Sequence, residues 1–149
     1  ERFDRFLLPK YIEANIPIFA TCRGMQSMYV TLGGKLNQHM SHETNPSHDG
    51  GKLVHGIDFE NQHIVPGFAE VTQHKPGEYK INSRHHQTVN EETKPEIVTI
   101  LARHSTDDEI EFATTYPFYP CHMTQHHVED TSDPATVFLI KHLLTLNDE

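Results

Sequence analysis

Cys22 lies in the segment Ala20-Thr21-Cys22-Arg23-Gly24, between a short apolar run and a stretch of helical periodicity. That is where a nucleophile elbow presents its side chain, on a tight strand-to-helix turn. At the helix N-terminus a thiolate meets backbone N–H groups and the positive end of the helix dipole, and both lower a thiol pKa. The small residues Ala20 and Gly24 suit a turn that leaves little room for bulk. Taken alone, Cys22 reads more readily as a buried core thiol. The segment Gln125-His126-His127-Val128-Glu129 changes that reading. A cysteine hydrolase needs a histidine to accept the thiol proton and a carboxylate to hold the imidazole in the right tautomer, and such partners lie far away in sequence. His127 and Glu129 are two residues apart, so both can project from one side of an extended segment or the turn after it. Cys121 has no such partner motif and reads as a structural thiol.

The elements that must position these residues follow from periodicity. Phe3, Phe6, Leu7, Tyr11 and Ala14 recur at helical spacing, and Asn15 with Pro17 ends that helix. Ile16 to Ala20 is a continuous apolar run, as expected of a central parallel strand covered on both faces. Met25, Met28, Tyr29 and Leu32 return to helical spacing, with Gly33-Gly34 as the stop. Residues 37–56 are polar and read as a long surface loop. Short β-type runs are predicted at 62–65, 70–73, 79–83, 97–103, 109–113 and 119–125. Asp133 caps and Pro134 opens a closing helix with Val137, Phe138, Ile140, Leu143 and Leu144 on its apolar face.

At 149 residues with 36% hydrophobic content, the chain reads as a single α/β domain. Its net charge of -9 argues against nucleic acid and anionic membrane surfaces as partners. No apolar run reaches the roughly 20 residues of a membrane span, and two cysteines fit reduced thiols in a cytoplasmic setting. The 13 histidines include no H-E-x-x-H motif, and no C-x-x-C occurs, so they read as surface residues or local hydrogen-bonders with no metal site. The chain opens inside an amphipathic helix where an α/β domain ordinarily starts with a strand, so residues 1–149 are expected to lack the N-terminal part of their domain.

Four stretches taken together resemble a known family. Pro17 to Gly34 reads P-I-F-A-T-C-R-G-M-Q-S-M-Y-V-T-L-G-G, Ile81 to Gln87 reads I-N-S-R-H-H-Q, Asp108 to Glu111 reads D-E-I-E, and Thr124 to Glu129 reads T-Q-H-H-V-E. Their order and spacing are similar to class I glutamine amidotransferase-like proteins, specifically the gamma-glutamyl-gamma-aminobutyrate hydrolase group, peptidase C26. The resemblance implies a flavodoxin-like, mostly parallel sheet with helices on both faces, and a Cys22, His127, Glu129 triad needing no cofactor. It also implies that Arg23, Gly24, Gln26, His85, His86 and Gln87 lie on the oxyanion and substrate side. For His85, His86 and Gln87, a strand end with exposed histidines is an equal reading. The implied substrate is glutamine or a small γ-glutamyl compound. A glutaminase subunit feeding ammonia to a synthetase partner, a homo-oligomer, and a non-catalytic binding protein that keeps the fold are alternatives. The family's glycine is Ala20 here, and its Q-W-H-P-E motif reads Gln125-His126-His127-Val128-Glu129.

Overall fold

The computed structural model describes residues 2–37, 55–82, 87–126 and 133–146. Helix α1 (Arg2–Glu13) leads into β1 (Ile18–Thr21), and α2 (Arg23–Thr31) follows after Cys22 alone. Further along come β2 (Leu36–Asn37), β3 (His55–Phe59), the short helix α3 (Phe68–Val71), β4 (Tyr79–Ile81) and β5 (Thr88–Val89). The strands β6 (Thr99–His104), β7 (Ile110–Thr114) and β8 (Cys121–Thr124) precede the closing helix α4 (Pro134–Leu146).

Six strands form one sheet in the order β1-β8-β7-β6-β3-β4, while β2 and β5 pair separately. The fold class is the expected flavodoxin-like α/β one. Among the described residues, however, the sheet is mixed. β1 and β8 run parallel, and the pairs β8–β7, β7–β6, β6–β3 and β3–β4 are antiparallel. β1 is an edge strand among the described residues and begins at Ile18, leaving Ile16 exposed.

Strand alternation divides the core. Ala20, Ile100, Ala113, Cys121 and Met123 pack with Met25, Met28 and Tyr29 of α2 on one face. Ile57, Leu101, Phe112 and Phe19 pack with Ala135 and Leu139 of α4 on the other. The period of two in β8 therefore sends Cys121 and Met123 toward α2, whereas His122 reaches the His142 ring on α4.

Helix α2 matches its predicted span, with Met25, Met28 and Tyr29 buried as the spacing requires. Gly33 ends it at φ 110. Other expectations are corrected. Helix α1 turns Leu8 and Ile12 inward, while Phe6 is 64% exposed and lies under the Lys10 ammonium. Gln62–Ile64 is a 3-10 turn and Phe68–Val71 a helix, where strands were predicted. The left-handed residues Asn61 (φ 53) and Gly67 (φ 87) precede them and break the extended chain. β3 went unpredicted, since its beginning fell in the stretch read as loop. On α4 the buried residues are Ala135, Thr136, Leu139 and Leu143, while Leu144 is exposed. Four histidines, His55, His104, His122 and His126, are buried rather than on the surface.

Candidate active site around Cys22

The register of β1 on β8 pairs Thr21 with Thr124, so the two strands end side by side. The residues immediately beyond them, Cys22 and Gln125, are thereby brought together. The Cys22 N–H donates to the Thr124 carbonyl at 2.7 Å, which ties the turn to the end of β8. Cys22 has φ 51 and ψ -110, in positive-φ territory that a non-glycine residue adopts only under constraint, at about 1–3 kcal/mol. The Cys22 carbonyl already accepts from the Gln26 N–H at 3.3 Å, so the residue is the N-cap of α2 as well as the end of the strand. Cys22 is partly exposed, and neither it nor Cys121 is in a disulfide.

Arg23 and Gly24 form the first turn of α2. A methyl group added at Gly24 would meet the Ala20 Cβ at 3.8 Å, an ordinary contact. The turn thus has room for an alanine at 24. Gln26 is almost fully buried, and its Nε2 donates to the Gln87 carbonyl at 2.8 Å and to Gln125 Oε1 at 3.4 Å. Gln125 Nε2 in turn lies 3.9 Å from Cys22 Sγ. Of the sequence-predicted site residues, Cys22, Arg23, Gly24, Gln26 and Gln87 are thus gathered at one end of β1 and β8. His85, His86, His127 and Glu129 lie outside the described residues.

A cleft of about 450 Å³ opens between the start of α1, α2 and β2, lined among others by Arg5, Arg23, Gln26, Lys35 and Gln87. Its charged lining residues are all cationic, in a protein of net charge -9. A second hollow of about 550 Å³ is lined by Glu91, Glu92, Asp107, Asp108 and Glu109 and shares no residue with the elbow. Its acidic lining would repel a carboxylated ligand.

The structure commits His126 to another role. Its ring points to the α4 face, stacks on Phe112 with centroids 5.3 Å apart, and is wholly buried. Nε2 donates to Asp133 Oδ1 at 3.0 Å, and Nδ1 meets the Thr124 hydroxyl. Asp133 also accepts from the Tyr79 hydroxyl and, at 3.1 Å, from the Thr136 N–H, so it caps α4 as predicted. Burial raises the Asp133 pKa, but the hydrogen bond and charge of His126, with the bonds from Tyr79 and Thr136, outweigh it and hold the carboxyl at about 2. Burial, with the Asp133 bond and charge, pushes the Tyr79 hydroxyl well above its ordinary value. Cys121 is fully buried, and desolvation pushes its thiol up to about 12, so it is no nucleophile at neutral pH.

Two arrangements escaped sequence reasoning. Gln125 lies inside the quoted T-Q-H-H-V-E stretch without an assigned role, although strand alternation from Met123 places it on the Cys22 side. Glu111 of D-E-I-E is fully buried with an oxygen 3.2 Å from His55 Nε2, and the His55 ring stacks on His104 at 4.2 Å. A glutamate between Ile110 and Phe112 inside the β-type run 109–113 was the available signal. Among the described residues no group of three or more His, Cys, Asp and Glu side chains could hold a metal ion.

A strained cysteine between a strand and a helix, on a mixed sheet flanked by helices, has the form of a nucleophile elbow on an α/β fold. The Peptidase C26 family model matches residues 1–129, and the chain belongs to that family. It is 34% identical over 100 residues to protein NtpR of Enterococcus hirae, covering 60% of this chain and 38% of NtpR. Over 96 residues it is 30% identical to the glutamine amidotransferase-like protein YvdE of Lactococcus lactis subsp. lactis, covering 61% of this chain and 38% of YvdE. These matches therefore span well under half of either relative's length. The fold is similar to that of a Thermoplasma acidophilum protein described as a GMP synthase subunit, with a TM-score of 0.65 at 17% identity over 95% of this chain and 64% of that one. A glutamine amidotransferase from Thermotoga maritima gives 0.59 at 13% identity, over 99% of this chain and 53% of that one.

Proposed function

We propose that this chain carries the nucleophile, base and orienting carboxylate of a cysteine hydrolase that cleaves γ-glutamyl amide bonds, with Cys22, His127 and Glu129 in those roles. The observation that carries the reading is Cys22 itself, held at φ 51 between β1 and α2 with a side-chain amide at its sulfur. His126 is bound to Asp133 on the opposite face, which counts against His126 as the base and supports assigning that role to His127.

In the proposed reaction His127 takes the Cys22 proton, and the thiolate attacks the γ-carbonyl. The C–N bond breaks as His127 returns that proton to the departing ammonia or amine, leaving a γ-glutamyl thioester. Water, deprotonated by His127, then attacks the thioester, glutamate leaves, and the thiol is restored. The Arg23 N–H at the start of α2 is the proposed oxyanion donor, and losing one such donor costs on the order of 10²-fold in rate. Arg5, Arg23 and Lys35 in the adjoining cleft suit the carboxylate of a glutamyl substrate. The proposed substrate is glutamine or a small γ-glutamyl compound of the kind cleaved by gamma-glutamyl-gamma-aminobutyrate hydrolases.

The test is release of glutamate from glutamine and from γ-glutamyl amides. Cys22→Ser and His127→Gln should each abolish it while the protein still melts cooperatively. Near-normal turnover in either variant would remove that residue from the mechanism. A second reading is an amidotransferase that passes ammonia to a synthetase partner, and the glutamine amidotransferase-like name of YvdE supports only its amidotransferase half. Hydrolysis of glutamine that appears only on adding a second protein would select it. No Cys22-dependent hydrolysis under either condition would leave a binding protein that keeps the fold.

A further inference from the structure

We infer that Gln125 stabilises the Cys22 thiolate, through an amide orientation fixed by Gln26 and the Gln87 main chain. The inference rests on Cys22 being the nucleophile and adds a residue to that site.

A backbone carbonyl can only accept, so the atom of Gln26 that meets the Gln87 carbonyl at 2.8 Å must be its NH₂. The second hydrogen of that NH₂ faces Gln125 across 3.4 Å, and what it meets must also accept, which places Gln125 Oε1 there. The Gln125 NH₂ is then turned to Cys22 Sγ, 3.9 Å away. Each amide is thus oriented by the one before it, starting from a main-chain group that cannot flip. The distance is long for a neutral thiol, and the contact strengthens when the sulfur becomes an anion, because a hydrogen bond to a charged acceptor is shorter and stronger.

Burial makes the arrangement count. Gln125 is fully buried and Gln26 nearly so, and a preoriented amide shielded from water acts on a neighbouring charge more strongly than one that water screens. The Gln125 N–H also donates to the Glu111 carbonyl at 2.9 Å, so the backbone that carries the side chain is pinned to β7. Cys22 lies at the N-terminal end of α2, whose dipole favours the same anion. The amide is the part of this environment that a single substitution removes without touching the turn.

The experiment is the pH dependence of Cys22 carbamidomethylation by iodoacetamide, followed by peptide mass spectrometry on the full chain, so it requires no turnover. The wild-type midpoint should lie below the ordinary thiol value of about 8.5. Gln125→Met, which keeps the length and loses the donor, should raise the midpoint by about one pH unit, a tenfold fall in thiolate fraction below it. Gln26→Met leaves the donor present but unoriented and should raise it by a smaller amount. A purely structural role for Gln125 would lower the melting temperature and leave the midpoint in place, and that result overturns the inference. A wild-type midpoint at or above 8.5 overturns it without any variant. Cys22 that fails to alkylate at any pH while buried Cys121 does would instead refute the nucleophile assignment beneath it.

Discussion

Replacing Asp133 by alanine tests the network that takes His126 out of the catalytic pair. Asp133 accepts from His126 Nε2, the Tyr79 hydroxyl and the Thr136 N–H, and is 6% exposed. Losing the helix cap costs about 1 kcal/mol. Losing the acceptor for two buried groups, His126 and Tyr79, costs about 1–3 kcal/mol each. Because the three bonds share one residue and their neighbours relax together, a total of about 3–5 kcal/mol is expected rather than the largest simple sum. For a domain near 150 residues that corresponds to a melting temperature lower by roughly 10 °C. Urea unfolding of Asp133→Ala against wild type measures the loss, and Asp133→Asn, which keeps one acceptor oxygen, should recover part of it. A loss below about 1 kcal/mol in the alanine variant would mean that the network does not hold His126.

The same network and the His122 ring set an acid limit. Burial first, and then the charge of His142, depress His122 to about 3, and the bonds around Asp133 hold its carboxyl at about 2. Both folded values lie below the unfolded ones, so both contributions are complete above the unfolded pKa and are lost as pH falls. The loss runs from about pH 6.5 toward 3 for His122 and from about pH 4 toward 2 for Asp133. Stability should drop by about 2 kcal/mol between pH 7 and 5 through His122, and His122→Gln should flatten that slope; equal urea midpoints at the two pH values would contradict it. Gly34→Ala and Gly24→Ala should differ in sign. A Cβ at 34 would lie 2.3 Å from the buried Tyr29 ring and should cost about 1–3 kcal/mol, whereas one at 24 meets only the Ala20 methyl and should keep or raise the melting temperature. Matching thermal shifts for the two would refute the packing described at Tyr29.

The elbow was legible in the sequence because two periodicities meet there. A continuous apolar run stops at Ala20, a 3.6-residue pattern starts at Arg23, and the turn between leaves room only for Cys22 and its neighbours. Asp133-Pro134 was legible for a similar local reason, a capping residue ahead of a proline at the first helical position. Residues 62–65 and 70–73 misled because their β-type composition was overridden by the left-handed backbone at Asn61 and Gly67, which periodicity does not register. The inward face of α1 was misjudged because Phe6 carries a large apolar side chain that the fold leaves under Lys10 rather than in the core. Gln125 and the His126–Asp133 pair depend on which strand β8 joins, and that is a matter of tertiary register rather than of local pattern. That the His126 ring turns to Asp133 becomes visible only when the alternation of β8 is laid against α2 and α4.

The central claim is that Cys22 is a nucleophile adapted to a γ-glutamyl group, and a mechanism-based electrophile tests it most directly. Protein treated at neutral pH with a diazo-ketone analogue of glutamine, digested and analysed by mass spectrometry, should carry one adduct, on Cys22. Cys121, buried and with its thiol pushed up to about 12, should remain unmodified, and excess glutamine should protect Cys22. An unmodified Cys22, or labelling of both cysteines at rates that glutamine does not affect, would contradict the account.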